Sequence, residues 1–293
     1  MSNKNVFVTA IYNNLNGTVY GGRDRKNHYN WSLISLLKTT NADFVCYTSQ
    51  NDYDELLHFF HNKNKIDREQ LKIKIFELGN NNFNGLISKW KNYEEAKTGD
   101  RCIEIQYMKF FWSLNEIENY ENIFWIDAGL SHCGIIPNKY LTIKHSNENR
   151  QYYESNLFDN LFLDKLLEKS KEQFLLVSKE NERNYWSGTV NEKHFNRYDN
   201  SKHIIGGLFG GKSILWKNIV DLFSKYVYEV TEEDGRLYHE EDIMTLMYRN
   251  HEELFKTLDF DIWWHENNLT DGLPEDYLTI NKSFYKILEE IRE

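Results

Sequence analysis

The chain has little proline and cysteine and no long apolar run, and each scarcity excludes a class of protein. Its two prolines mark no linker within 293 residues. The three cysteines show neither a CxxC pair nor a zinc-ligand spacing, so they predict free thiols in a reducing compartment. No apolar run approaches the roughly 18 residues of a membrane helix, and no signal peptide precedes the first predicted strand. We therefore predict a cytoplasmic protein, and association with the inner face of the membrane stays open.

Several catalytic motifs are also missing. The sequence has no GxxxxGK[ST] phosphate loop, no GxGxxG after the first strand, no GxSxG elbow and no HExxH helix. These absences disfavour kinases, dehydrogenases, hydrolases and metalloproteases. The formal net charge of −10 disfavours a nucleic-acid partner, which calls for a basic face.

Predicted strands and helices alternate along most of the chain. Apolar runs such as VFVTAIY and FVCYT predict buried strands, and the periodic segments between them predict helices. This alternation favours an α/β fold with a mixed, mostly parallel sheet flanked by helices. We predict a single domain over residues 1–293, with a variable excursion around 135–200. The polar stretch from Thr142 to Asn156 is expected to be a mobile loop or insertion. Aromatic residues make up 15% of the chain, which suits grooves that bind sugars.

The segment FWIDAGLSH, from Phe124 to His132, is the strongest functional signal. Its apolar run stops at Asp127, and a carboxylate at the carboxyl end of a buried strand lies where open α/β sheets bind ligands. Gly129 allows a sharp turn or a close approach to a ligand. The alternative is an aspartate that only caps a turn.

Two further segments carry candidate residues. In IIGGLFGG, Gly206 and Gly207 lie where side chains would block a bound sugar; a bulge or close strand–helix packing is the alternative. In HEED, the acids begin a helix, where the helix dipole alone favours them. At least one of them should face the sheet, because IMTLM follows at once. A carboxylate near a cleft can deprotonate an attacking hydroxyl.

The chain resembles GT-A glycosyltransferases in the order of four segments. These are the first strand, the strand ending in IDAG, the glycine-rich strand and the acidic helix start. The segment FWIDAGLSHCGIIP resembles, more narrowly, the bacterial HtrL/YibB-like (WlaTC/HtrL) family linked to lipopolysaccharide and surface-glycan synthesis. The resemblance implies a GT-A-like fold and transfer of a sugar from a nucleotide-sugar donor, UDP-linked, to a glycan or lipid-linked glycan. Oligomeric state stays open.

The resemblance also implies roles for single residues. Asp242, with Glu241 beside it, is the predicted base of an inverting reaction; a retaining enzyme would need no such base. The predicted donor-binding residues are Thr9, Tyr12, Arg23, Lys109, Asp127, Gly206 and Gly207. Gln106 shares a helix face with Lys109.

The predicted metal site departs from the family pattern. GT-A enzymes usually carry Asp-any-Asp at this strand end, and here the second position is Gly129. The resemblance therefore implies Mn²⁺ or Mg²⁺ bound by Asp127, with His265 as a second ligand, and leaves the need for metal open.

Two other classes of protein stay open. One is another nucleotide-sugar enzyme such as a nucleotidyltransferase, for which GGRDRK at residues 21–26 is a weak signal. The other is a non-catalytic carbohydrate-binding protein, which would not need Asp127 and Asp242 to converge on one cleft.

Overall fold

The protein is described by a computed structural model that covers residues 4–13, 25–38, 40–90, 103–128, 141–147, 150–155, 160–179 and 202–260. Arg23, Gly129, His265 and two of the cysteines lie outside these ranges. The strands are β1 Asn5–Ala10, β2 Asp43–Thr48, β3 Leu71–Ile75, β4 Asn122–Ile126, β5 Leu141–Asn147, β6 Arg150–Ser155, β7 Phe174–Lys179, β8 His203–Lys212 and β9 Phe255–Phe260. The α-helices with fully described bounds are α1 Arg25–Leu37, α2 Gln50–Leu57, α3 Ile103–Leu114, α4 Asn160–Lys169, α5 Ser213–Asp234 and α6 Glu240–Asn250.

Seven strands form one sheet in the order β3-β2-β1-β4-β8-β7-β9. β8 runs antiparallel to both of its neighbours, and the other neighbouring pairs are parallel. The predicted α/β class, with a mixed and mostly parallel sheet flanked by helices, is confirmed. From β1 the chain first proceeds to β2 on one side and later returns to β4 on the other. The boundary between β1 and β4 is therefore a topological switch point, where open α/β sheets form a ligand crevice.

Both faces of the sheet are covered. On one face, Val6 and Val8 of β1 share a core cluster with residues of α3, α5 and α6, including Trp112 and Phe223. On the other face, Phe7 belongs to a second cluster with residues of α1, α2 and α4, including Leu33, Leu56 and Leu166. Strands buried on both faces need continuous apolar runs rather than alternation, which is why FWI is apolar throughout and VFVTAIY is apolar except for Thr9.

The polar stretch from Thr142 to Asn156 was predicted to be a mobile loop or insertion, and the prediction of a loop was wrong. β5 and β6 pair there as an antiparallel two-stranded sheet. The stretch contains β-branched and aromatic residues that favour strands, such as Ile143, Tyr152 and Tyr153. Its high polarity hid that preference, because the prediction relied on continuous apolar runs.

Candidate functional site

Asp127 lies directly after β4, at the switch point between β1 and β4. Its backbone N–H donates to the carbonyl of Gly207 at 2.9 Å, which extends the β4–β8 pairing by one step. The four residues before it, Ile123 to Ile126, are buried, whereas the Asp127 side chain is 43% exposed. The apolar run thus ends in a carboxylate that is accessible at the carboxyl edge of the sheet.

One oxygen of the Asp127 carboxylate is held by the protein. Oδ1 accepts a hydrogen bond from the indole Nε1 of Trp125 at 2.8 Å and lies 3.0 Å from Nζ of Lys109. Within the described ranges, no residue donates a hydrogen bond to Oδ2. The carboxylate is therefore fixed through one oxygen while the other stays available to a ligand.

Lys109, on α3, is buried and surrounded by acceptors. Its Nζ lies 3.0 Å from Asp127 Oδ1, 2.7 Å from Glu240 Oε1 and 3.0 Å from the carbonyl of Gly206. An ammonium has three donors, so these three acceptors use all of them. Burial by itself lowers the pKa of Lys109, but the charges of Asp127 and Glu240 outweigh burial and hold that pKa above its usual range. Lys109 is therefore a fixed positive charge.

Glu240 is the first residue of α6, and its side chain is buried beside Lys109. The helix begins there because Gln106 of α3 meets its first turn: Gln106 Oε1 lies 3.0 Å from Nδ1 of His239 and accepts from the Glu240 backbone N–H at 3.4 Å. Gln106 and Lys109 thus share one helix face, as predicted, and that face contacts the start of α6. Both side chains are buried.

β8 bulges where it passes this cluster. Its pairing with β7 jumps from Ile205 to Phe209, so Gly206 and Gly207 have no partners on β7. The backbone groups that the bulge releases are taken up by side chains, as buried polar groups require. The Gly206 N–H donates to Glu241 Oε1 at 2.9 Å, and the Gly206 carbonyl accepts from Lys109.

Gly206 has no room for a side chain. A Cβ at this position would lie 2.5 Å from Oε1 of Glu240. The bulge and the close strand–helix packing, which the sequence left open as the alternative, are both observed here. Contact of Gly206 and Gly207 with a donor stays a prediction.

The structure brings together five of the predicted residues and leaves others apart. Lys109, Asp127, Glu241, Gly206 and Gly207 form one connected cluster through the contacts above. Asp242 belongs to the same first turn of α6 and is buried. Its predicted role as a base stays a prediction.

The two predicted residues at the end of β1 have other surroundings. Thr9 is buried in the sheet, paired in register with Cys46. Tyr12 donates its hydroxyl to the carbonyl of Phe76 at 2.8 Å, and its ring stacks on Trp112 with centroids 5.8 Å apart. Arg23 and His265 lie outside the described residues, so the structure places neither.

Sequence reasoning missed Glu240, which it passed over in favour of its two neighbours. A signal for it was present in the helical period. Glu240 precedes Ile243, Met244 and Met247 by three, four and seven residues, and all three are buried. Glu240 therefore heads the apolar stripe of the helix, which places its side chain in the interior, where Asp242 is also buried.

The described residues form no group of three or more histidine, cysteine or acidic side chains that could hold a metal ion. The space between Asp127 and Glu240 holds the ammonium of Lys109. The carboxylate of Asp127, 43% exposed, has the oxygen chemistry of a Mg²⁺ ligand, because Mg²⁺ is commonly bound by one or two carboxylates together with substrate phosphates. Among the predicted ligands, only Asp127 is a described candidate.

Comparison with known proteins gives fold similarity alone. No family model and no curated protein matches the chain. Among solved structures, the chain is similar to 4-diphosphocytidyl-2C-methyl-D-erythritolsynthase from Anaerococcus prevotii DSM 20548, with 12% identity, 95% of each chain covered and a TM-score of 0.45. It is also similar to the apo form of mouse xyloside xylosyltransferase 1, with 12% identity, 93% of this chain and 92% of that chain covered, and a TM-score of 0.49. Similarity at this level says nothing about the reaction.

None of the helices that the structure describes is long and apolar enough to cross a membrane.

Proposed function

We propose that the protein is a glycosyltransferase that moves a sugar from a nucleotide-sugar donor, UDP-linked, to a glycan acceptor. The observation that carries this proposal is the place of Asp127. Its carboxylate is accessible at the carboxyl end of β4, at the switch point beside β1. An acid there is positioned to meet the ribose of a nucleotide or a cation on its diphosphate.

The charge around Asp127 sets a requirement for the donor. Lys109 is in contact with two carboxylates, those of Asp127 and Glu240, and its three donors are engaged within the protein. A diphosphate brings further negative charge, and more develops on the leaving group. Lys109 therefore has no donor left for the diphosphate. In our proposal Asp127 holds a Mn²⁺ or Mg²⁺ ion, which would neutralise the departing diphosphate, with His265 as a further ligand and Arg23 as a second cationic group.

The remaining roles follow the family resemblance. Thr9 and Tyr12 meet the base, and Gly206 and Gly207 lie along the sugar. Asp242, with Glu241 beside it, deprotonates the acceptor hydroxyl if the reaction inverts the anomeric centre; in a retaining reaction these acids position donor or acceptor instead. The resemblance also supports an acceptor in bacterial surface polysaccharide or lipooligosaccharide, modified in the cytoplasm or at the inner face of the membrane.

A thermal-shift screen tests this proposal. UDP and UDP-sugars, each with and without Mn²⁺, should raise the melting temperature, because a ligand that binds only the folded state stabilises it. Free monosaccharides serve as the matched control. A shift with monosaccharides and none with any nucleotide would contradict the glycosyltransferase proposal and favour a carbohydrate-binding protein. Release of UDP from the UDP-sugar that gives the largest shift then tests for turnover.

A further inference from the structure

We propose that Lys109 and Glu240 form a buried positioning pair that sets the orientation of the Asp127 carboxylate. The pair has no contact of its own with the donor in this proposal. It acts through Asp127, and only its consequence for donor turnover rests on the function proposed above.

The first step of the argument is the geometry around the ammonium. Lys109 joins Asp127 and Glu240, which come from β4 and α6, and both contacts are within 3.0 Å. Both members of the pair are buried, whereas Asp127 is the accessible end of the chain of contacts. A change in the position of Glu240 is therefore expected to shift Asp127, which ligands can reach.

The second step is that Glu240 is enclosed by its neighbours. Its side chain is buried, its Oε1 accepts from Lys109 at 2.7 Å, and a Cβ added at Gly206 would lie 2.5 Å from that oxygen. The bulge that contains Gly206 is itself held by Lys109 and by Glu241. Glu240 therefore holds Lys109 on its buried side, and Lys109 holds Oδ1 of Asp127. In this proposal Oδ2 meets the ligand.

The third step is that the protein contains its own reporter of Asp127. The indole N–H of Trp125 donates to the same Oδ1 at 2.8 Å. Its proton resonance therefore depends on where that carboxylate lies. This signal can be measured without any ligand, so it tests the pair separately from the proposed function.

The experiment compares Glu240→Gln with Glu116→Gln. The first variant keeps the shape of the side chain and an oxygen that can accept from Lys109, but removes the charge. Glu116 is the matched control, because it is also a buried glutamate, 2.6 Å from a lysine, with partners on β2 and β3. Indole resonances are recorded for both on ¹⁵N-labelled protein. Trp125→Phe assigns the peak, and Asp127→Asn shows where it lies when the carboxylate charge is lost.

We expect the Trp125 indole peak to move in Glu240→Gln toward its position in Asp127→Asn and to stay in place in Glu116→Gln. We also expect UDP release from a UDP-sugar to fall by up to about 100-fold in Glu240→Gln, since small misplacements of a positioning group can cost that much. Lys109→Arg keeps the positive charge, so its loss of UDP release should be smaller than that of Glu240→Gln. A general packing defect would not predict this order.

An unmoved Trp125 peak in Glu240→Gln would overturn the proposal. So would a moved peak with UDP release unchanged from wild type. If the peak moves but the wild-type protein neither binds nor turns over any nucleotide sugar, the positioning pair is supported and the proposed function is the part that fails. If Glu240→Gln does not fold, Glu240→Asp gives the same test, because its shorter side chain draws the carboxylate away from Lys109 and should move the Trp125 peak.

Discussion

Among the residues that the structure describes, two buried glutamates pair with lysines, and their surroundings differ at one point. Glu116 lies 2.6 Å from Nζ of Lys74 and accepts from the hydroxyl of Tyr47 at 2.7 Å. Glu240 lies 2.7 Å from Nζ of Lys109. In the first pair the lysine is 38% exposed and leads to solvent. In the second pair the lysine is buried, and the exposed group beyond it is Asp127.

This difference separates a structural cluster from a candidate site. Burial raises the pKa of Tyr47, and the neighbouring Glu116 raises it further, so Tyr47 remains a hydrogen-bond donor at any ordinary pH. The Glu116 cluster therefore satisfies its own groups. The Lys109 cluster ends instead in the partly exposed carboxylate of Asp127, whose Oδ1 contacts Lys109 and Trp125. Buried charge alone does not identify a candidate binding site. An exposed polar group in contact with that buried charge does.

The largest predicted effect concerns turnover at the start of α6. If Asp242 is the base, Asp242→Asn should lower kcat by about 10²–10⁴-fold, with a modest change in donor affinity. Glu116→Gln should leave kcat near that of wild type. Steady-state kinetics on the best donor of the screen measures both. If the acids of α6 serve only the helix dipole, each substitution should instead cost about 0.3–1 kcal/mol of stability with turnover unchanged.

The next effect is on stability. Lys109→Met leaves Glu240 buried without its cation, so the free energy of unfolding should fall by about 3–5 kcal/mol. Lys74→Met should cost about 1 kcal/mol or less, as expected for a pair with a partly exposed member. Urea denaturation of the two variants measures the difference. Equal losses of unfolding free energy in the two variants would contradict the difference between the Lys109 cluster and the Glu116 cluster.

A smaller loss is expected in the β8 bulge. Gly206→Ala must displace the Glu240 carboxylate and should cost about 1–3 kcal/mol, the usual range for overpacking. Gly211→Ala on the same strand is the matched control, because its added Cβ would meet its nearest neighbours at 3.7 Å, an ordinary contact. Thermal unfolding of both variants gives the comparison. A Gly206→Ala protein as stable as Gly211→Ala would mean that Glu240 is free to move.

The smallest effect tests whether the interior around the Glu116 cluster is accessible to solvent. Cys46 lies on β2 next to Tyr47, and burial raises the pKa of its thiol to about 12. Very little thiolate exists at pH 8, and alkylation needs the thiolate. Mass spectrometry of the peptide that carries Cys46 should show almost no modification in the native protein and full modification in urea. Rapid native alkylation would show that this interior opens.

Most strands of the seven-stranded sheet were predictable from the sequence because they carry a strong local signal. Apolar runs such as Phe44 to Thr48 are buried on both faces of the sheet, and Asp127 was found because its run stops at a carboxylate. The strands β5 and β6 were missed because their signal is polar. Glu240 was missed because three adjacent acids look alike in sequence and the helical period was not used to separate them. Its contact with Lys109, 131 positions away, is visible only in the structure.

Some features of the site could not be predicted at all. The bulge at Gly206 depends on how β7 and β8 align, which no short segment specifies. The engagement of all three donors of Lys109 depends on β4, β8 and α6 meeting at one point. The prediction that Lys109 binds the donor rested on the family resemblance and on its helix face, and our proposal gives it an indirect role instead.

The most direct test of the account is a calorimetric titration of UDP, in the presence of Mn²⁺, into wild type and Asp127→Asn. The account predicts saturable binding to wild type and a large loss of affinity in a variant whose melting temperature without ligand is close to that of wild type. Equal affinity in the two proteins would contradict the claim that Asp127 faces the nucleotide. So would the absence of binding to wild type when every other nucleoside diphosphate also fails.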